Sequence, residues 1–108
     1  MRLMRIAVVG LGLMGAAITR RIEGAGHELF VWNRSPGPSD EFVSRGATLL
    51  DSPAAALQQA ELAITMVADP AAVEQVTFGP NGILTGPTGG TLMDMSTISI
   101  ESSARRGT

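Results

Sequence analysis

A short apolar run, Arg5 to Val9, leads directly into Gly10-Leu11-Gly12-Leu13-Met14-Gly15, and no other feature narrows the fold of this chain so far. Such a run followed by glycine suits a buried parallel strand. From Leu13, apolar residues recur at Met14, Ala17, Ile18 and Ile22, a helical stripe stopped by Gly24 and Gly26. Glycines at this spacing are weak evidence alone, since ordinary turns contain them, but between a strand and a helix they have a mechanical reading. Gly10 permits the tight turn, Gly12 lets a pyrophosphate approach the backbone, and Gly15 lets the helix pack closely on the sheet. An anion then rests on backbone N–H groups at the positive end of the helix. The motif therefore implies a dinucleotide phosphate cradle.

Strand and helix signals continue to alternate. Glu28 to Trp32 reads as a second strand, and Ser35-Pro36-Gly37-Pro38 as a loop. Ser39 is expected to cap a short helix with Asp40 and Glu41 in its first turn, ended by Gly46. Ala47 to Leu50 is a third strand, and Ser52-Pro53 opens another helix. Leu62 to Val67 is a fourth strand, Asp69-Pro70 starts a fourth helix, and Gly79-Pro80-Asn81-Gly82 and Gly86-Pro87 mark loops. Thr91 to Met95 is a fifth strand, with a further helix expected from Ser99. The fold class implied is α/β, a Rossmann-type doubly wound parallel sheet with right-handed crossovers, truncated after its fifth strand. One domain, residues 1–108, accounts for the whole chain.

Composition removes several function classes. No cysteine is present, which excludes disulfides, thiolate metal sites and cysteine nucleophiles, and one histidine excludes a multi-histidine site, so no metal is expected. A net charge of -2 offers no footprint for nucleic acid or an anionic membrane. Arg2 and Arg5 ahead of the apolar run to Ile18 imitate a signal peptide, but glycines at fingerprint spacing and the following Arg20 and Arg21 argue against it, and a cytoplasmic protein is expected. His27 opens the second strand and reads as structural. All eight basic residues are arginine, so the chain has no lysine.

The end of the second strand bears on the cofactor. Domains that prefer NAD usually place a carboxylate there for the ribose hydroxyls. Asn33-Arg34-Ser35 offers none. An arginine at that place pairs with a 2′-phosphate and stacks on adenine, and Ser35 can add a hydroxyl bond; the plainer alternative is a solvated loop arginine. NADP is expected over NAD.

The glycine motif together with Gly24 to Ser35 resembles the β-hydroxyacid dehydrogenase family, which includes 3-hydroxyisobutyrate dehydrogenases, tartronate semialdehyde reductases and glyoxylate reductases; 6-phosphogluconate dehydrogenases and imine reductases share a similar domain. The resemblance continues through Met66-Val67-Ala68-Asp69, Phe78-Gly79-Pro80-Asn81-Gly82 and Asp94-Met95-Ser96-Thr97-Ile98-Ser99. It implies that Met66, Val67 and Ala68 line the cofactor and that Ser96 and Thr97 meet a small carboxylate substrate. Met14 would lie beneath the cofactor, or else fill the core.

Two departures stand out. Ile100 replaces the family's proline, and the lysine-bearing helix and glycine-rich substrate segment of the family are missing. The resemblance thus implies an N-terminal cofactor domain whose C-terminal helical catalytic and dimerisation domain is absent, with no catalytic residue in this chain and homo-oligomerisation a property of the parent. An imine reductase cofactor domain and a non-catalytic dinucleotide-binding or sensor module are the alternatives.

Overall fold

A computed structural model of the chain describes residues 3–35, 37–67, 70–85 and 90–95. The expectations placed on Ala68, Ser96, Thr97 and a helix from Ser99 lie outside the described residues.

Among the described residues five parallel strands form one sheet: β1 (Arg5–Val9), β2 (Glu28–Trp32), β3 (Thr48–Leu49), β4 (Leu62–Thr65) and β5 (Thr91–Asp94). Their spatial order is β3-β2-β1-β4-β5. The order reverses direction beside β1, which pairs with β2 on one side and β4 on the other, with Val8 opposite both Val31 and Ile64. That is the Rossmann-type arrangement, whose crevice opens at the carboxyl ends of the strands beside the reversal.

Both faces of the central strands are buried, which explains why β1 reads as continuous apolar sequence. Ala7, Val9, Phe30 and Ala63 point to one side and pack with Leu57 and Ala60 around helix α3 (Ala56–Gln59) and with Val76 of α4 (Pro70–Phe78). Val8, Leu29 and Val31 point to the other, against Ala16 of α1 (Leu13–Gly24) and Phe42 of α2 (Asp40–Val43). Ile6, Ile64 and Met66 extend that second layer beneath Ile18 and Ile22.

Several local expectations shift by a residue or more. The strongly buried residues of α1 are Gly15, Ala16 and Thr19, whereas Met14 is exposed. The buried stripe thus runs beside the one drawn through the larger apolar residues, because close approach to the sheet selects small side chains for the contact line. Thr19, fully buried, satisfies its hydroxyl by donating to the Gly15 carbonyl at 2.6 Å. Ser39 does not cap α2 with its side chain; its own backbone is already helical (φ -77, ψ -17) and its carbonyl accepts from Phe42 and Val43. Ser52 is extended and Pro53 follows at the first helical position, but the turn it opens, Pro53–Ala55, is 3-10 before one α turn completes it. Strands β3, β4 and β5 are shorter than their sequence signals, so Leu50, Met66, Val67 and Met95 fall just past strand ends. His27 accepts the Met4 N–H at Nδ1, 2.9 Å away, which ties the entry to β1 to the entry to β2.

An ion network joins the two helices on one face. Glu41 of α2 accepts from Arg20 of α1 at 2.6 Å and from Arg45 at 3.0 Å, and Arg45 also reaches Glu23 at 2.8 Å. Hydrogen bonds from Arg20, then Arg45, hold the Glu41 carboxyl below its ordinary 4.5, at about 2. A carboxyl whose pKa falls on folding contributes stability that is fully present above its unfolded value and is lost as pH drops through the folded one. All four groups face solvent, so the effect is modest and screened by salt. Thermal melts across acid pH should therefore show a loss between roughly pH 4.5 and 2 that is shallower in Glu41→Gln, with the difference shrinking in high salt.

Candidate functional site

The turn from β1 into α1 is built by close contacts that leave no room for side chains. Gly10 sits at φ +105, and a Cβ there would lie 2.3 Å from the Met66 carbonyl oxygen. Only glycine adopts that conformation without strain. A Cβ on Gly15 would lie 2.1 Å from the Gly10 carbonyl oxygen. Gly12 differs from both. It has ordinary backbone angles (φ -67, ψ -170), and a Cβ added to it would meet nothing within 4 Å among the described residues. Gly10 and Gly15 are demanded by packing within the chain, while Gly12 faces open space.

Gly12 is also the N-cap of α1, and no side chain caps the helix. The first-turn N–H groups of Leu13, Met14 and Gly15 have no intrahelical acceptors. Leu13 and Met14 flank them with exposed side chains, 90% and 53% accessible. The Leu11 side chain, by contrast, is buried beneath the turn, and its N–H is already occupied by the Asn33 side chain at 2.8 Å. A residue-free approach to a row of N–H donors at a helix N-terminus fits a pyrophosphate.

Beside this turn lies a cavity of about 380 Å³. Trp32, Asn33 and Arg34 wall it from the end of β2, and Val67 from beyond β4. Asp51, Ser52 and Pro53 close a third side past β3; Ala72, Gln75 and Val76 of α4 and the turn residues Pro80 and Asn81 complete it. Arg34 is exposed and has no hydrogen-bond or ion-pair partner among the described residues. Ser35 is exposed next to it.

The structure brings Gly10 to Gly15, Asn33 to Ser35, Met66 and Val67 to one end of the sheet. It divides them by role. The Met66 side chain is 7% exposed and belongs to the core under the glycine turn, so only its main chain borders the site. The Asn33 side chain is engaged inside the protein, donating to the Ser35 carbonyl at 2.9 Å as well as accepting from Leu11. Sequence reasoning missed Asp51, Ser52, Gln75 and Asn81 on the cavity wall. The signal available for the first two was their place just past a parallel strand, on the side where such sheets bind ligands. It also missed Asp94, whose carboxylate accepts the hydroxyl of fully buried Thr65 at 2.8 Å and so ties the carboxyl ends of β4 and β5 together. Among the described residues no group of three histidines or carboxylates could hold a metal, and no helix is long and apolar enough to cross a membrane.

A parallel sheet in this order, with a glycine turn open at the N-terminus of its first helix, defines a dinucleotide-binding domain of the oxidoreductase type. Residues 5–108 match the family described as the NAD binding domain of 6-phosphogluconate dehydrogenase, and the chain belongs to that family. It is 45% identical over 103 residues to the uncharacterized oxidoreductase YfjR of Bacillus subtilis, and 35% identical over 103 residues to glyoxylate/succinic semialdehyde reductase 1 of Arabidopsis thaliana. Each alignment covers 94% of this chain and 36% of the relative. The reductive aminase of Aspergillus terreus, solved with NADPH and ethyl levulinate, superposes with a TM-score of 0.75 at 31% identity, over 97% of this chain and 35% of that one. The chain thus spans about a third of the length of these three proteins, and the β-hydroxyacid dehydrogenases are among its relatives.

The division among the glycines is testable. Gly15→Ala should unfold the turn or lower stability severely, since its Cβ collides with a backbone oxygen. Gly12→Ala should cost no more than about 1 kcal/mol in denaturant melts. The same variant should nevertheless bind a nicotinamide dinucleotide measurably more weakly by titration calorimetry.

Proposed function

We propose that this chain is the NADP(H)-binding domain of an oxidoreductase that moves hydride between NADP(H) and a small β-hydroxyacid or semialdehyde. The observation that carries this reading is Arg34, exposed on the wall of the 380 Å³ cavity with no partner among the described residues and no carboxylate in the Asn33-Arg34-Ser35 segment. A guanidinium so placed suits a 2′-phosphate, which it can meet with two parallel hydrogen bonds, and its plane can cover an adenine. Ser35 adds a hydroxyl beside it, Val67 gives the cavity an apolar wall, and the amides from Gly12 onward receive the pyrophosphate. When bound, the nicotinamide supplies the hydride.

The substrate class is supported by likeness to the Arabidopsis thaliana glyoxylate/succinic semialdehyde reductase and by the Asp94-Met95-Ser96-Thr97 segment, in which Ser96 and Thr97 are the proposed contacts to a substrate carboxylate. In the resembled family the proton that accompanies hydride transfer is handled by a lysine of a later helix, a residue type this chain does not contain, so in this reading that step lies elsewhere or is absent. A second reading, the cofactor domain of an imine reductase, is favoured by the 31% identity to the Aspergillus terreus reductive aminase solved with NADPH.

Fluorescence titration should show NADPH binding more tightly than NADH. Replacing Arg34 by aspartate should erase or reverse the difference, at a cost to NADPH of about 1.5–3 kcal/mol for one charge-assisted phosphate contact. Equal affinity for the two cofactors in the unaltered chain would remove Arg34 from the argument. The 108-residue chain alone should oxidise no NADPH with glyoxylate, a semialdehyde or a cyclic imine. Turnover with any of them in an absorbance assay would show that the chain holds its own proton donor.

A further inference from the structure

We infer that Asn33 is not a cofactor ligand but a positioning residue, a latch that sets the phosphate-binding turn and the Arg34 turn in one fixed relation. The inference rests on the dinucleotide reading above and assigns a new role within it. Asn33 Oδ1 accepts the Leu11 N–H at 2.8 Å, and Asn33 Nδ2 donates to the Ser35 carbonyl at 2.9 Å. Exchanging oxygen and nitrogen would set N–H against N–H and oxygen against oxygen, so the amide orientation follows from its partners. One residue earlier, the Gly10 N–H donates to the Trp32 carbonyl at 2.8 Å, which gives the two turns a second tie. Leu11 is held from both sides, its side chain 3% exposed below and its N–H bonded to Asn33.

Two consequences follow. The Leu11 N–H cannot serve an anion, so the donors facing a pyrophosphate begin at Gly12. The Arg34 backbone is bracketed between Asn33 and the carbonyl its amide holds, so the bond to Ser35 closes the turn that presents the guanidinium. An aspartate at position 33 would keep the acceptor for Leu11 but set its second oxygen against the Ser35 carbonyl, opening that turn alone.

Binding of ADP-ribose and of adenosine 2′-phosphate to the 108-residue chain separates the two turns, because the first ligand carries the pyrophosphate and the second only the 2′-phosphate. Asn33→Ala should weaken both by about fivefold or more, as loss of a positioning hydrogen bond would. Arg34→Ala should weaken adenosine 2′-phosphate by a larger factor than ADP-ribose, which loses only the cover over its adenine. Asn33→Asp should leave ADP-ribose within about twofold while weakening adenosine 2′-phosphate, and should keep the Leu11 amide slow in hydrogen exchange where Asn33→Ala makes it fast. If Asn33→Ala does not fold, Asn33→Ser takes its place: its hydroxyl is too short to hold both partners, and both affinities should again fall together. The latch is overturned if Asn33→Ala weakens only adenosine 2′-phosphate, which would make Asn33 a phosphate ligand. It is overturned equally if the variants lose thermal stability with both affinities unchanged. Failure of the NADP reading has its own signature: Arg34→Ala leaves adenosine 2′-phosphate unaffected while Asn33→Ala still weakens ADP-ribose. Absence of ADP-ribose binding to the unaltered chain would overturn the dinucleotide reading and the latch together.

Discussion

Backbone packed on backbone at the end of β1 is the constraint from which the rest of this structure follows. The Gly10 carbonyl fills the space where a Gly15 side chain would be, and the Met66 carbonyl fills the space where a Gly10 side chain would be. Three chain segments, the strand end, the first turn of α1 and the exit from β4, therefore meet largely main chain to main chain, with the Met66 Cβ and the Val67 Cγ1 closing in beside them. That contact fixes where α1 begins, brings its N-terminus over the carboxyl end of the sheet where strand order reverses, and sets its small-residue face on β1 and β2. Had Gly10 or Gly15 carried a side chain, the helix would stand off the sheet and its free N–H groups would point elsewhere.

The polar ties around this contact act on the same geometry from further out. Trp32 and Asn33 bind the β2 end to the glycine turn, Met66 donates to the Val9 carbonyl at 2.9 Å, and Thr65 with Asp94 joins the next pair of strand ends. Apolar burial on both faces supplies the driving force for the sheet, but it does not select which loop faces which. The directional bonds do. The ion network of Arg20, Glu23, Glu41 and Arg45 lies on the opposite, solvated side of α1 and has no part in the site.

Much of the architecture was legible because its signals are short-ranged. A run such as Ala7-Val8-Val9 before Gly10 reads as strand into turn, and Pro70 or Gly46 mark helix ends whatever surrounds them. The family was legible too, since its motifs are spread over almost the whole chain. What stayed hidden depends on three-dimensional neighbours. The burial of Met66, the occupation of Asn33 and the exposure of Met14 are decided by which segments pack alongside, and residue type alone does not contain that information. Asp51 and Gln75 reach the cavity from elements far apart in sequence, so no local pattern joins them. Ser39 failed as a cap for a related reason: it is 6% exposed, and burial with a helical backbone left its carbonyl as the group that serves the helix.

The three glycines of the turn answer to different masters, and this has a meaning on an evolutionary timescale. Gly10 and Gly15 are held by the folding of the chain itself, so any descendant that keeps this sheet must keep them. At Gly12 no packing contact among the described residues demands glycine. A lineage that gave up its cofactor while retaining the fold, for instance to serve as a scaffold, would be free to drift, among these three glycines, only at position 12. Among descendants of this domain, that one residue is a record of whether the cradle is still in use.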